Sequence, residues 1–467
     1  MCIEFVNRDR EFEFLERQFD TEERQLLVLY GRRRVGKTEL VTEFLERQTR
    51  EFVYFLADQR GTAANAARFV QECADAFDDM PPAVDGFDDV FTYITRRVDD
   101  ELIVVIDEFS HLVAEDDVIP SVFQRIHDEI LTGTDVSVIL LGSSISMMEE
   151  GALSHDSPLY GRRTGQWKLS PLEFGDIHQF FPAYSMTDLV SVYAILGGIP
   201  AYLEQFDSDR PLLENVRDRI LSKGSFLYEE PEFFLRQELR EPATYMSILE
   251  AMAAGKTTVT GIANEIGRDA SGISRYLSNL RRLEAVDRRT PVTEPDAKRG
   301  IYVNADNFFS FWFRFVSPNR TDLERGNQQA VVEMIEAQLD EYTSRIFEDV
   351  CRQAVHQPAF PVPVSRTGTW WYGEDEIDVA AVGEDNAEER LLLGECKWTS
   401  SPVGSGLLEN LERTASDVRW RGSDRRKEFV LFSKSGFTDD LRAVATDRSD
   451  LYLYDLAGLA ALFEIES

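Results

Sequence analysis

Lys37 has the setting that most directly suggests chemistry. It follows the apolar run Gln25–Tyr30 in the string Gly31-Arg32-Arg33-Arg34-Val35-Gly36-Lys37-Thr38, and Glu39 then opens a helical pattern. Two glycines, a lysine and a threonine at this spacing, between a strand and a helix, are what a phosphate-cradling loop requires. The glycines let the main chain wrap phosphates with its amides inward, and the helix N-terminus adds positive potential. Lys37 would reach the outer phosphates and the Thr38 hydroxyl would hold Mg²⁺. The ligand this spacing predicts carries phosphates and Mg²⁺, touched by residues Gly31 to Glu39. About seventy residues on, the apolar run beginning at Glu101 ends in Asp107 and Glu108. There Asp107 would hold Mg²⁺ through water and Glu108 would polarise an attacking water. Another apolar run, beginning at Val136, ends at Ser143 and Ser144, where a polar side chain could sense the last phosphate. Arg162 and Arg163, in SPLYGRRTG, are candidates for an arginine finger in cis or from a neighbouring copy, the alternative being a surface pair.

A second group of residues lies near the C-terminus. Glu376–Val382 reads as a strand, Gly383–Glu389 as a turn and Arg390–Trp398 as a returning strand. Side chains alternate at period two, so Glu395 and Lys397 share a face and Cys396 takes the other. A hairpin can bring Asp378 beside Glu395, and Glu348, on a preceding helical pattern, is a fourth member. The alternative is plain surface charge.

Positioning these groups needs several elements. Strand-like runs alternate with helical ones from Gln25 to about Gly142, which predicts a parallel α/β sheet. The pattern is then helical to about Leu239, broken by LGGIPAYL (Leu196–Leu203). Between Tyr245 and Val303 come three helical patterns and a strand pair, the order of a winged helix-turn-helix. Thr258, Asp269 and Ser271 are its expected N-caps. The third helix would bury Ile273, Leu277 and Leu280 and present Ser274, Arg275, Ser278, Arg281 and Arg282. The wing would add Arg288, Arg289, Lys298 and Arg299. Clustered positive charge of this kind suits a DNA backbone, and a purely structural module is the alternative. The aromatic run Phe308–Phe315 reads as a buried packing face. The division expected is 1–172 nucleotide core, 173–240 helical lid, 241–305 winged helix, 306–344 connector and 345–467 C-terminal α/β domain.

The chain has 467 residues, 43% of them apolar, enough to bury several cores and to exclude a disordered protein. Its formal charge is −34, which normally argues against nucleic acid. Of its 50 basic residues only eight are lysines, against 84 acids, the balance of a salt-adapted protein. At high salt the carboxylates are screened and serve mainly to hold water, so the net charge speaks of the setting more than of the ligand. Four scattered cysteines offer neither a disulfide framework nor a zinc site. No apolar run nears the ~20 residues of a membrane span, and the first twenty residues are charged, so the expectation is a cytoplasmic protein.

The segments Phe5–Phe19, GRRRVGKT, IDEF, SPLYGRRTGQWKLSPLEF and LGGIPAYL together resemble the AAA+/STAND class of P-loop ATPases. Within it they most resemble an archaeal family with a C-terminal nuclease-like domain. The resemblance implies a P-loop NTPase sheet with a helical lid, a winged helix and a restriction-endonuclease-like α/β domain. It also implies that Gly198 and Pro200 contact nucleotide, and that a homo-oligomer forms. GEDEID and GECKW resemble the PD-(D/E)xK superfamily, without the proline of its name. This implies that Asp378, Glu395 and Glu348 hold Mg²⁺ while Lys397 orients the attacking water. Two functions follow: an ATPase coupled to DNA binding and metal-dependent cleavage, or an ATP switch whose inactive C-terminal domain binds protein or DNA.

Overall fold

The computed structural model describes residues 5–21, 23–98, 100–296, 300–385, 388–421 and 425–465. The chain divides into two compact units, Met1–Pro171 and Leu172–Ser467. The first is built on a five-stranded parallel sheet of β1 (Leu26–Tyr30), β2 (Glu51–Leu56), β3 (Leu102–Asp107), β4 (Val136–Gly142) and β5 (Gly165–Lys168), in the order β2-β3-β4-β1-β5. Strands β1, β3 and β4 are unbroken apolar runs because helices cover both of their faces.

Period-two alternation divides those strand residues between two cores. Leu27, Leu29, Ile103, Val105, Ile139 and Leu141 pack against α1 (Asp9–Phe19) and α2 (Lys37–Glu46). Leu26, Val28, Val104, Ile106, Val138 and Leu140 pack against α3 (Thr62–Ala76) and α4 (Phe87–Thr95). Phe69, Phe87 and Phe91 there are fully buried, each contributing roughly 1.5–3 kcal/mol. Because β1 pairs with β4 rather than β2, the chain switches direction across the sheet at β1. The carboxyl ends of β1, β3 and β4 then open into a crevice of the kind that takes ligands in open α/β sheets.

The second unit begins with helices, including Met186–Leu196 and Glu230–Glu238. Three more follow, Pro242–Ala253, Val259–Glu265 and Ala270–Arg282, then an antiparallel pair of β6 (Val286–Arg289) and β7 (Ile301–Asn304). The Thr258 hydroxyl caps its helix by accepting from the Gly261 amide at 3.1 Å. Asp269 stands at the next N-cap without a side-chain bond, and Ser271 lies inside that helix rather than capping it. The aromatic run is a core: Phe308, Phe309, Phe311 and Trp312 have no exposed surface.

A 27-residue helix, Gln328–Ala354, then leads into a mixed sheet. It runs through the boundary expected between 344 and 345. The sheet order is β12-β11-β10-β9-β8, with β8 (Arg366–Tyr372), β9 (Asp375–Asp385) and β10 (Glu388–Lys397) antiparallel. β11 (Arg426–Ser433) and β12 (Leu451–Asp455) run parallel to β10. The β9–β10 ladder extends through much of the stretch expected as a turn, as far as the pair Asp385 and Glu388. Cys73, Cys351 and Cys396 are free thiols. Among the described residues no helix is long and apolar enough to cross a membrane.

Candidate functional site

The loop after β1 turns tightly into α2. Gly36 has φ 90°, a left-handed conformation that costs glycine nothing, and Arg34 adopts one too at 70°. Arg8, at the start of α1, braces the loop: its buried guanidinium donates to the carbonyl of Val35 at 2.9 Å and to that of Ser170 at 2.8 Å. Arg32 is buried, Arg33 half-buried and Arg34 exposed, so the three arginines do not form one surface. Lys37 is only 6% exposed and donates to the carbonyls of Gly31 (3.1 Å) and Arg32 (2.8 Å). Burial lowers its pKa to about 8, with Glu108 and then Asp107 pulling the other way. Thr38 and Glu39 are exposed at the mouth.

One hydrogen-bonded pair joins this loop to the end of β3, and a second joins the ends of β3 and β4 to each other. Thr38 Oγ1 donates to Asp107 Oδ2 at 2.8 Å, and the Glu108 amide donates to Asp107 Oδ1 at 2.7 Å. Ser143 Oγ donates to Glu108 Oε2 at 2.6 Å, and Ser110 Oγ reaches the same oxygen at 3.3 Å. Glu108 itself has φ 53°, a left-handed conformation rare for a residue with a side chain. The donor set suits a magnesium–triphosphate ligand: a cationic loop, an exposed hydroxyl, and a buried carboxylate behind it. The sequence reading missed two residues of this site. Tyr54 on β2 donates its hydroxyl to Asp107 Oδ2, and Arg8 holds the loop. Neither lies in a phosphate-loop motif, though the apolar period of β2 carried Tyr54 to the right face.

Within this chain the two candidates for an arginine finger are engaged by other groups. Arg162 Nε is bound to Asp128 Oδ2 at 2.7 Å and its Nη1 to the Pro158 carbonyl. Arg163 lies over the Tyr160 ring and donates to the Leu153 carbonyl. Gly198 and Pro200 belong to the second unit. Pro200 opens a one-turn helix, and a Cβ at Gly198 would stand 1.8 Å from the Leu172 carbonyl oxygen, so the chain passes there too closely for any side chain.

In the second unit the hairpin places Asp378 one step beyond the registered pair Val379 and Gly394, across from Glu395. Lys397 Nζ donates to Glu395 Oε2 at 2.9 Å and lies 3.9 Å from Asp378 Oδ2. Asp378 Oδ2 also accepts the Cys396 amide at 2.9 Å. Burial, then the charge of Asp378, holds the carboxyls of Glu348 and Glu395 well above their ordinary range. Glu376, two residues before Asp378, is raised for the same reasons and extends the group, as the period of the strand implies. Among the described residues, however, no three carboxylate, His or Cys side chains are arranged to hold a metal ion. Glu348, Asp378 and Glu395 are electrostatic neighbours. Lys397 takes the place between two of them.

On Ala270–Arg282, Ile273, Leu277 and Leu280 are fully buried while Ser274, Arg275, Ser278 and Arg281 are exposed, and Arg282 is half-buried. A groove of about 790 Å³ runs beside its start, lined in part by Asn264, Arg268, Ser271 and Tyr276. Of the expected wing cations, Arg288 is half-buried, Lys298 and Arg299 lie outside the described residues, and Arg289 is turned inward. Arg289 makes two hydrogen bonds, 2.9 and 3.1 Å, to Asp349 on the long helix.

A parallel sheet whose β1 feeds a phosphate loop, with a carboxylate pair ending β3, defines a P-loop ATPase fold. Residues 5–206 match an ATPase domain found predominantly in Archaea, and residues 312–413 match a domain of archaeal and bacterial proteins of unknown function. The second match begins inside the aromatic segment. An uncharacterized protein of Methanocaldococcus jannaschii is 35% identical over 399 residues, 84% of this chain and 87% of the relative. The chain belongs to this archaeal ATPase family. An uncharacterized ATP-binding protein of the same organism is 54% identical over 46 residues, 10% of this chain and 78% of that protein. Among solved structures, the Walker-type ATPase of Pyrococcus abyssi aligns with a TM-score of 0.48 at 20% identity, covering 66% of this chain and 96% of that one. The Aeropyrum pernix ORC1 protein in complex with DNA aligns at 0.36 and 15% identity, covering 69% and 95%.

Proposed function

We propose that the chain binds ATP with Mg²⁺ at Gly31–Glu39 and hydrolyses it, with Glu108 as the base for the attacking water. The observation that carries this reading is the joining of Thr38 to Asp107 and of Ser143 to Glu108 at the carboxyl ends of three adjacent strands. Lys37 is held dry and close to the loop, placed to meet the outer phosphates. Thr38 and Asp107 would hold Mg²⁺, which when bound neutralises phosphate charge. Ser143 fixes the direction of the Glu108 carboxylate, so that its free oxygen accepts a proton from water. By the family resemblance Gly198 and Pro200 would contact nucleotide, and a finger, if Arg162 supplies one, acts only after leaving Asp128. Glu108→Gln is expected to bind ATP within about twofold of the parent and to lose at least about 10²-fold in turnover, measured as phosphate release. Unchanged turnover would remove Glu108 from the chemistry.

Nucleotide state then governs the second unit, divided as 173–240, 241–305, 306–344 and 345–467. The exposed face of Ala270–Arg282 meets a DNA backbone through Arg275 and Arg281. In the C-terminal domain Asp378, Glu395 and Lys397 form a nuclease-like group of the restriction-endonuclease type. If that group cleaves, Lys397→Ala abolishes Mg²⁺-dependent nicking and leaves ATP binding intact. A second reading is favoured by the position of Lys397 between its two carboxylates: a STAND-like switch whose C-terminal domain binds protein or DNA without cutting. Absence of cleavage by the unaltered protein, on DNA and RNA with Mg²⁺ or Mn²⁺ at high salt, would decide for the switch.

A further inference from the structure

Tyr54 lies on the edge strand β2, in register with Val105 of β3. Its hydroxyl donates to Asp107 Oδ2, the oxygen that also accepts from Thr38. With the Glu108 amide on Oδ1, a carboxylate only 4% exposed receives three donors. The Thr38 hydroxyl has one proton, and it is committed to Asp107. Thr38 is exposed, so a cation can reach its hydroxyl oxygen while its proton stays on Asp107.

We propose that Tyr54 is a positioning residue for the cation-holding pair: by fixing the Asp107 carboxylate it fixes the Thr38 hydroxyl with its oxygen turned outward. This rests on the ATP–Mg²⁺ reading above. Tyr54 touches no phosphate in this role; it acts through Asp107. A phenylalanine at this position keeps the ring and removes only the donor. A hydrogen bond to a charged group is worth about 1.5–3 kcal/mol, so losing it shifts a binding equilibrium about tenfold or more.

The test is Mg²⁺ titration of a fluorescent ATP analogue on the full chain, carried out with wild type, Tyr54→Phe, Thr38→Ala and the double variant. Tyr54→Phe is expected to raise the Mg²⁺ midpoint about tenfold and to leave nucleotide binding in EDTA within twofold. Added to Thr38→Ala it is expected to change little more, because both act through one carboxylate. An unchanged midpoint would overturn the proposal, and a lowered one would show Tyr54 competing with the cation for Asp107. Loss of binding in EDTA would mark Tyr54 as merely structural and also overturn it. A wild type whose affinity for the analogue ignores Mg²⁺ would sink the ATP–Mg²⁺ reading itself, a result distinct from all of these.

Discussion

Glu108 is held by geometry on both sides. Its backbone occupies a left-handed conformation that costs of order 1 kcal/mol for a residue with a Cβ, and its side chain is tied to Ser143 and Ser110. Strain of this kind persists where the surrounding structure over-determines it, here the packed ends of β3 and β4. Ser143→Ala would remove the shorter of the two bonds to that carboxylate oxygen without emptying the loop. The expected outcome is turnover reduced about tenfold with ATP affinity unchanged, read by steady-state hydrolysis beside equilibrium binding. Lys37→Ala should instead abolish binding, since it removes the ammonium that the loop encloses. Legibility at this scale was uneven. Lys37, Thr38, Asp107 and Glu108 stand in motifs whose spacing carries chemistry, and the structure brings them together. Arg8 lies in the Phe5–Phe19 segment but not in the phosphate loop, and Tyr54 lies in no motif: each reaches the site through a side chain long enough to cross from another element.

Among the elements, the ion pair of Arg289 with Asp349 shows what the pattern of charge alone conceals. A cation at the end of a wing strand reads as a surface group, yet it is bonded to the long helix together with Arg352. Burial raises the Asp349 carboxyl, but Arg352 and Arg289 outweigh it and leave the pKa below its ordinary value. A carboxylate depressed in the folded state contributes stability that is present above the unfolded carboxylate range and is lost as pH falls through the folded value. Asp349→Ala should therefore cost about 2 kcal/mol at pH 7, and the gap from wild type should close below about pH 4. Denaturant unfolding at the two pH values measures both. Arg275 and Arg281, by contrast, are exposed on Ala270–Arg282. If that face meets DNA, replacing each by Ala should weaken binding across sequences and reduce the salt slope by about one; an unchanged slope would remove the face from the contact. Strand positions were legible because β1, β3 and β4 are bare apolar runs. The end of the β9–β10 ladder was not, because charged residues at an exposed hairpin end carry no burial pattern.

For the molecule as a whole, the charge of −34 with eight lysines leads us to propose a salty setting. Raising KCl from about 0.1 M to 2 M should raise the thermal midpoint, since screening removes repulsion among carboxylates; a falling midpoint would refute it. The break near Pro171 follows the end of the alternating strand and helix pattern, but boundaries within the second unit are blurred by the helix Gln328–Ala354. This helix is roughly 40 Å long. Midway along it the Tyr342 hydroxyl donates to the carbonyls of Ala194 and Asn307, anchoring it among the helices that precede it. Roughly 9 Å and roughly 15 Å farther along the same rod stand Glu348 and Arg352, beside the carboxylates of β9 and β10. If the rod pivots at Tyr342, a tilt imposed on the helix Met186–Leu196 would carry Glu348 toward or away from Asp378. Tyr342→Phe, which removes the pin and keeps the ring, should uncouple hydrogen exchange at the two ends of this helix.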